Sequence, residues 1–340
     1  MLYQNTALGD ALFATPALRA VRKTFPQAHL ALVCRSRHAP LMALNPHLDE
    51  LLIYRGKAKS FRPLVRALKR GQFEVAVILH GNDPETLPLL WTGRVGSIVG
   101  PAGTRFEFLQ SLTLPPPNRT QHVVDHRLML VQAIGAKPQG RHLEQPLDQN
   151  TLTWAQAFIG DNLPGQGPAV IIAPGASSPH KRWPAERFAK VAQVLQDRHK
   201  ARIIILTTAK ESPLADRIVS GLSGPWWAAN GRLDLLQVAG LMAVSRLVLA
   251  NDSGLYNLGQ ALRIPTLSLG GPQGPADYGP LPGHGAEMIS LRAEVCPWPD
   301  CLNTACPDPV CIKAITEDMV LARLEEGFSE ALTSPVSSKK

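Results

Sequence analysis

Residues Ala169–Leu195, AVIIAPGASSPHKRWPAERFAKVAQVL, leave few architectures open. Val170–Ile172 is wholly apolar and β-branched, the pattern of a strand buried on both faces of a parallel sheet. Pro174-Gly175 stops it. The next residues carry the hydroxyls of Ser177 and Ser178 and the cations of Lys181 and Arg182. Pro184 suits the first turn of a helix, where its missing N–H costs nothing. Phe188, Val191, Ala192 and Leu195 then fall on one apolar helical face. Strand, polar-basic loop and helix in this order put the loop at the carboxyl end of a parallel sheet, where α/β folds bind ligands. Helix N–H groups, hydroxyls and a lysine together suit a phosphate. Taken alone, the stretch is equally an ordinary βα connection with a solvated basic turn.

The same alternation runs through the chain. Strands are expected at His29–Cys34, Leu51–Tyr54, Glu74–Leu79, Val95–Val99, Ala201–Thr207, Leu247–Ala250 and Pro265–Leu269. Helices are expected at Leu8–Phe25, restarted or bent at Thr15-Pro16 as N-cap and first-turn proline, and at Arg62–Arg70, Val123–Ile134, Thr151–Asn162, Pro213–Leu222 and Leu233–Met242. The first strand must be short, since few residues precede Leu8-Gly9-Asp10. His142–Asn150 is polar and without period, a linker. The expected organisation is an α/β domain at 1–150, a second at 151–312, a helix at 313–331 with Thr316 as its N-cap, and a disordered tail at 332–340.

Two short stretches stand out beside the first. Asp10 follows a glycine at a helix start, as a reactive carboxylate or a capping one. Asn251-Asp252-Ser253-Gly254 directly follows a strand and opens a helix, a second phosphate-capable turn. Asp252 would suit sugar hydroxyls or a backbone N–H better than a diphosphate. His80, Arg105, His122 and Arg127 are candidate acceptor contacts.

At 340 residues and 45% apolar content, both domains can bury a core. No apolar run is long enough to span a membrane, and no signal peptide is read, so the expected location is cytoplasmic. The net charge of +8 points to an anionic partner. The cations are scattered and aromatics sparse, which argues against nucleic acid; the Arg62–Arg70 cluster reads as the solvated face of a helix. Cys34 reads as a core residue. Cys296, Cys301, Cys306 and Cys311 are evenly spaced, unlike the tight pairs of zinc sites. They are read first as reduced or adventitiously paired thiols and second as a structural metal cluster. No GxGxxG follows an expected strand, so a Rossmann oxidoreductase is disfavoured.

Four stretches together resemble the heptosyltransferases, family nine of the glycosyltransferases: LGDALFATPALRAVRKTFP, APGASSPHKRWPAERFA, NDSGLYNLGQALRIPT, and the cysteine-rich segment leading into CIKAITEDMV. The resemblance runs from Leu8 to about Leu324. It implies a GT-B architecture, two Rossmann-like domains with parallel sheets facing across a cleft. It implies a C-terminal domain that binds a nucleotide sugar, usually ADP-heptose as co-substrate, and an N-terminal domain that binds the acceptor, usually the lipopolysaccharide inner core. The last helix would cross back onto the N-terminal domain. The reaction would be inverting transfer at the inner face of the inner membrane, in peripheral contact with it.

By the same resemblance Asp10 is the base, with Gly9, His80 and Arg105 on the acceptor side. Ser177, Lys181, Asp252, Ser253, Gly254 and Asn257 hold the donor. From the residues themselves no obligatory divalent metal is expected, since no DxD-like pair falls in a plausible loop. The family commonly has histidine where this chain has Asn257, and phenylalanine-glycine-proline-threonine where it has Gly270–Gln273. A non-catalytic glycan- or nucleotide-binding relative on the same scaffold is the alternative.

Overall fold

A computed structural model describes residues 1–80, 83–118, 120–270, 275–281, 287–293, 295, 306 and 308–333. It divides into two compact units, Met1–Pro146 and Leu147–Lys340.

The first unit runs β1 (Leu2–Gln4), α1 (Leu8–Phe13), α2 (Thr15–Thr24), β2 (Ala31–Arg35), α3 (Ala39–Met42), β3 (Glu50–Tyr54), α4 (Lys57–Gly71), β4 (Val75–His80), α5 (Thr86–Thr92), β5 (Ser97–Pro101), β6 (Leu112–Leu114) and α6 (Val123–Gln132). All its strand pairs are parallel, in the order β3-β2-β1-β4-β5-β6. β1 is only three residues long yet central, and Leu2 and Tyr3 are fully buried.

The second unit runs α7 (Gln149–Asn162), β7 (Ala169–Ala173), α8 (Ala185–His199), β8 (Arg202–Ile205), α9 (Ser212–Val219), β9 (Trp226–Ala228), α10 (Leu235–Val244), β10 (Leu247–Asn251), α11 (Gly254–Leu262), β11 (Thr266–Leu269), α12 (Pro275–Tyr278), β12 (Met288–Leu291), α13 (Val310–Lys313) and α14 (Glu317–Thr333). Its parallel sheet has the order β12-β11-β10-β7-β8-β9. Each unit therefore has the doubly wound 3-2-1-4-5-6 order, which reverses between β1 and β4 and again between β7 and β10. Ligands bind outside the carboxyl ends of strands at such a reversal.

The central strands form where apolar runs were expected, because only they can bury both faces: every residue of β7 and β10 is buried. Helix α8 packs Phe188, Val191, Ala192 and Leu195 into one core with Ile172, Ile203 and Leu249. Three strands were not expected, β6, β9 and β12. All are edge strands with a single neighbour, so they need no two-sided apolar run.

Several local expectations need correction. Thr15 starts α2 but does not cap it; its hydroxyl donates to the Leu12 carbonyl at 2.8 Å. Pro184 is the N-cap of α8 rather than a first-turn residue, with a 3₁₀ turn at Pro179–Lys181 before it. The expected linker is tied down through Gln145. Glu144 pairs with Arg19 at 3.1 Å and His47 at 2.9 Å, and Gln145 Nε2 donates to the Leu41 carbonyl at 3.0 Å. These polar residues lack period because they answer buried polar partners, not a core. Helix α7 starts two residues early, its Asp148 cap accepting from Thr151 N–H at 2.7 Å.

Helix α14 is part of the second unit, where Val320, Leu324 and Phe328 share the core with Phe188. Thr316 accepts from Met319 N–H at 3.2 Å, as the expected cap should, and Ile315 and Val320 are both buried. Leu332, expected in a disordered tail, is buried in the last turn of α14. Residues 334–340 lie outside the described residues.

Candidate active site

The first unit gathers its polar residues at the carboxyl ends of β1 and β4. Asp10 lies in the first turn of α1, whose N-cap is Ala7, so capping is not its role. Its Oδ1 stands 3.0 Å from Nη2 of Arg127, a side chain with no exposed surface, while the Asp10 side chain keeps 18%. Arg127 Nη1 also donates to the Asp10 main-chain carbonyl. The guanidinium carbon lies 5.9 Å from the Phe13 ring centroid. One buried cation on α6 therefore fixes both the backbone and the carboxylate of Asp10.

His80 ends β4 beside this pair. Burial lowers its pKa below the usual imidazole value, against the pull of the Asp10 charge. It is thus neutral near pH 7, and its buried Nδ1 has no hydrogen-bond partner in the protein. A neutral ring with a free nitrogen suits a sugar hydroxyl. Asn5 joins the two strand ends, Nδ2 donating to Asp83 Oδ2 at 2.6 Å. The amide oxygens of Gln4 and Asn5 are buried and unpartnered in the same region.

The other acceptor candidates separate. His122 is the N-cap of α6, its Nδ1 accepting from Val124 N–H at 3.1 Å. Arg105 is exposed, with its guanidinium carbon 5.2 Å from the Phe106 ring centroid. Gly9 is buried in α1 directly before Asp10. Gly81 and Asn82, which continue the loop after His80, lie outside the described residues.

In the second unit the two candidate loops meet at the carboxyl ends of β7 and β10. Lys181 Nζ lies 3.6 Å from Asp252 Oδ2. That is an ion pair but too long for a hydrogen bond. The two side chains keep 11% and 18% exposure. Asn251 holds the loops together. Its Nδ2 donates to the Pro174 carbonyl at 2.6 Å, and its Oδ1 accepts from Trp183 N–H at 3.0 Å. Trp183 is itself buried, Nε1 donating to the Ile315 carbonyl at 2.8 Å. Residues 174–183 are thereby clipped at both ends.

Gly175 has a steric reason. A Cβ there would stand 2.5 Å from Glu211 Oε1, and that carboxylate pairs with Arg182 at 3.3 Å. Arg182 also donates to the Ala176 carbonyl at 2.9 Å, so it braces the loop. Ser177 is exposed at the loop tip. Ser253, in extended backbone, is the N-cap of α11, and Gly254 is its first residue. The start of α11 therefore presents main-chain N–H groups and the positive end of the helix dipole. Asn257 is buried in α11, its Oδ1 3.4 Å from Gln260 Nε2.

Asn251 had no role of its own in the NDSG turn, and Tyr256 and Arg292 were not singled out in the sequence. Tyr256 is buried, its OH has no partner, and burial and the Asp252 charge raise its pKa. Arg292 follows β12, packs against Gly270 and feels the charge of Asp252; burial lowers its pKa. Nothing in the sequence marked Arg292, because the edge strand before it is only partly buried and has no two-sided apolar run.

The model of glycosyltransferase family 9, the heptosyltransferases, matches residues 61–297. The chain belongs to this family. Lipopolysaccharide heptosyltransferase 2 of Escherichia coli is 24% identical over 304 residues, 84% of this chain and 85% of the relative. Lipopolysaccharide heptosyltransferase 1 of Pseudomonas aeruginosa is 24% identical over 327 residues, 90% and 86%. Among solved structures, a family 9 glycosyltransferase from Veillonella parvula superposes with a TM-score of 0.83 at 23% identity, covering 97% and 96% of the two chains. Escherichia coli ADP-heptose lps heptosyltransferase II gives 0.81 at 20% identity, covering 97% and 98%.

The heptosyltransferase-family fold thus accounts for both Rossmann-like units, and the chain is a glycosyltransferase. No helix among the described residues is long and apolar enough to cross a membrane. Cys296 and Cys301 lie outside the described residues, while Cys306 and Cys311 are half-buried. Among the described residues no three potential ligands gather around a metal position. Cys34 is buried in β2, which pushes its thiol up to about 12.

Proposed function

We propose that this family 9 glycosyltransferase moves heptose, or a related sugar, from ADP-heptose to the lipopolysaccharide inner core with inversion. The observation that carries the proposal is the Asp10 carboxylate, partly exposed and fixed by the buried Arg127. An acceptor hydroxyl attacks the anomeric carbon, its proton passes to Asp10, and the bond from that carbon to the diphosphate oxygen breaks. The electron pair leaves on ADP. Lys181 and the N–H groups at the start of α11 stabilise the charge that develops there. Asp252 accepts from hydroxyls of the donor sugar, and Ser177 and Asn257 complete the donor contacts. Gly9 gives the acceptor room beside the backbone, His80 accepts from or donates to an acceptor hydroxyl, and Arg105 serves its anionic groups.

The names of the relatives support the donor and acceptor chosen here, since they are lipopolysaccharide heptosyltransferases. One solved relative, Escherichia coli heptosyltransferase WaaC, was crystallised with ADP. The test is a transfer assay with ADP-heptose and a purified inner-core acceptor, compared with UDP- and GDP-sugars. ADP release matched by a mass increase of one heptose on the acceptor is expected. Transfer from UDP- or GDP-sugars alone would overturn the donor. Absence of any product with all donors would favour a non-catalytic relative, the reading that Asn257 in place of histidine supports.

A further inference from the structure

One face of the first sheet is covered by α4, α5 and the short turn Glu107–Leu109. Their inner sides, including Leu64, Leu68, Leu87 and Leu90, pack on Val33, Ala76 and Ile78. Their outer sides are unusual. Helix α4, KAKSFRPLVRALKRG, contains no acidic residue. Lys59, Arg62, Arg66, Lys69 and Arg70 are all exposed. At 100° per residue they fall within an arc of about 100°, opposite the buried Leu64 and Leu68. They form a single cationic stripe.

Two large apolar side chains stand exposed on the elements that adjoin α4 in series. Trp91 on α5 is 64% exposed and Phe108 is 82% exposed. Helix α5 packs against both α4 and the 107–109 turn, and so lies between them. A Cβ on Gly93 would lie 2.6 Å from Leu68 Cδ1, which shows how closely α5 approaches α4. Phe108 is held at 6.2 Å from Phe106 in edge-to-face contact rather than buried. Arg94, after α5, adds an exposed cation, and the Glu107 carboxylate accepts from Gly103 N–H at 2.6 Å. Glu74, just after α4, is the exposed acid closest in sequence to the stripe.

Exposed apolar aromatics need a reason in a soluble face, and a stripe of like charge repels itself unless it meets an anionic surface. Aromatic rings beside clustered Lys and Arg match the boundary between lipid headgroups and acyl chains. We infer that the outer face of α4 and α5 docks on an anionic lipid bilayer, with Arg66, Lys69 and Arg70 on headgroups and Trp91 and Phe108 inserted at the interface. The docking does not depend on which sugar the enzyme transfers. It would hold the rim bearing Asp10 beside the layer to which a lipid-linked acceptor is anchored, because α4 begins at the carboxyl end of β3 in the same unit.

The test is co-sedimentation of the full chain with vesicles of phosphatidylethanolamine and phosphatidylglycerol, about three to one, against phosphatidylcholine vesicles. Binding to the anionic vesicles only, weakening as salt rises, is expected. Arg66→Gln, Lys69→Gln and Arg70→Gln together should lower the partition about 100-fold, from the usual worth of three basic residues at an anionic surface. Trp91→Ser with Phe108→Ser should lower it about tenfold while keeping the salt dependence. Both variants alter exposed side chains and should keep the parental thermal midpoint; the second stands as an independent test if the first misfolds. Equal binding to phosphatidylcholine, or no loss in either variant, would overturn the inference. So would a lipid-free dimer abolished by the aromatic changes, which would make the face a contact between copies. Capture of duplex DNA by the stripe without vesicle binding would overturn it in favour of nucleic acid.

Discussion

Arg127 holds Asp10 twice, once through the carboxylate at 3.0 Å and once through the main-chain carbonyl. The guanidinium is fully buried while the carboxylate reaches solvent. Such a pair orients a base without covering it.

Asp10→Asn keeps the shape and the contact to Arg127 but cannot take a proton. Turnover should fall by about 10²–10⁴, with ADP affinity unchanged. Arg127→Met should instead destabilise the fold by about 3 kcal/mol, because it strands a carboxylate beside a buried apolar side chain. Urea melts of the two single variants and the double variant measure this. If Arg127→Met melts like the parent, the pair has no structural weight.

Lys181 is the cation placed at the carboxyl ends of β7 and β10. Lys181→Ala should weaken ADP binding by about 1.5–3 kcal/mol, the worth of a hydrogen bond to a charged group. Calorimetric titration with ADP reads it directly. An unchanged affinity would remove Lys181 from the diphosphate.

Asn251 touches no expected ligand, yet it ties residues 174 and 183 to the end of β10. Asn251→Ala leaves a buried N–H and a buried carbonyl unpaired, a loss of about 3 kcal/mol. If the clip also positions Lys181, ADP binding should weaken about tenfold in the protein that remains folded. Asn251→Asp keeps the acceptor for Trp183 but sets an oxygen against the Pro174 carbonyl, so it should rescue neither property. A stability loss with unaltered ADP affinity would limit Asn251 to the scaffold.

Acid should unfold this protein earlier than its carboxylates require. His38 is buried, and burial with Arg37 and Arg35 lowers its pKa from 6.5 to about 4. Between those values the unfolded chain binds a proton that the folded chain refuses. Stability is therefore intact above pH 6.5 and falls as pH drops toward 4, by up to about 3 kcal/mol. His80 and His126 are lowered by burial too and act in the same direction. Thermal midpoints measured from neutral to acid pH should drop for the parent. In His38→Gln, which keeps an acceptor for Arg37, the slope should be shallower; an identical slope would contradict the assignment.

Much of this was legible in the residues. AVIIA, RIII and LVLA fold as central strands because a continuous apolar run has no other stable place in a parallel sheet. Asp10, Lys181 and Asp252 could be singled out because each follows a strand and sits at or before a helix start. The edge strands β6, β9 and β12 were not legible, since one-sided pairing demands no pattern. Helix ends were also obscure: α4, α8 and α11 close on Gln72, Lys200 and Arg263 in left-handed backbone, without the glycine that usually marks such a stop.

The sequence by itself determined the alternation of buried strands and amphipathic helices, and with it two doubly wound sheets and the loops at their carboxyl ends. Only the tertiary structure decided which groups meet. Arg127 reaches Asp10 across 117 residues, and Asn251 clips a loop 68 residues away. Periodicity reports whether a side chain is turned inward; it carries no record of which distant charge or carbonyl waits there, because that pairing is set by how strands and helices pack.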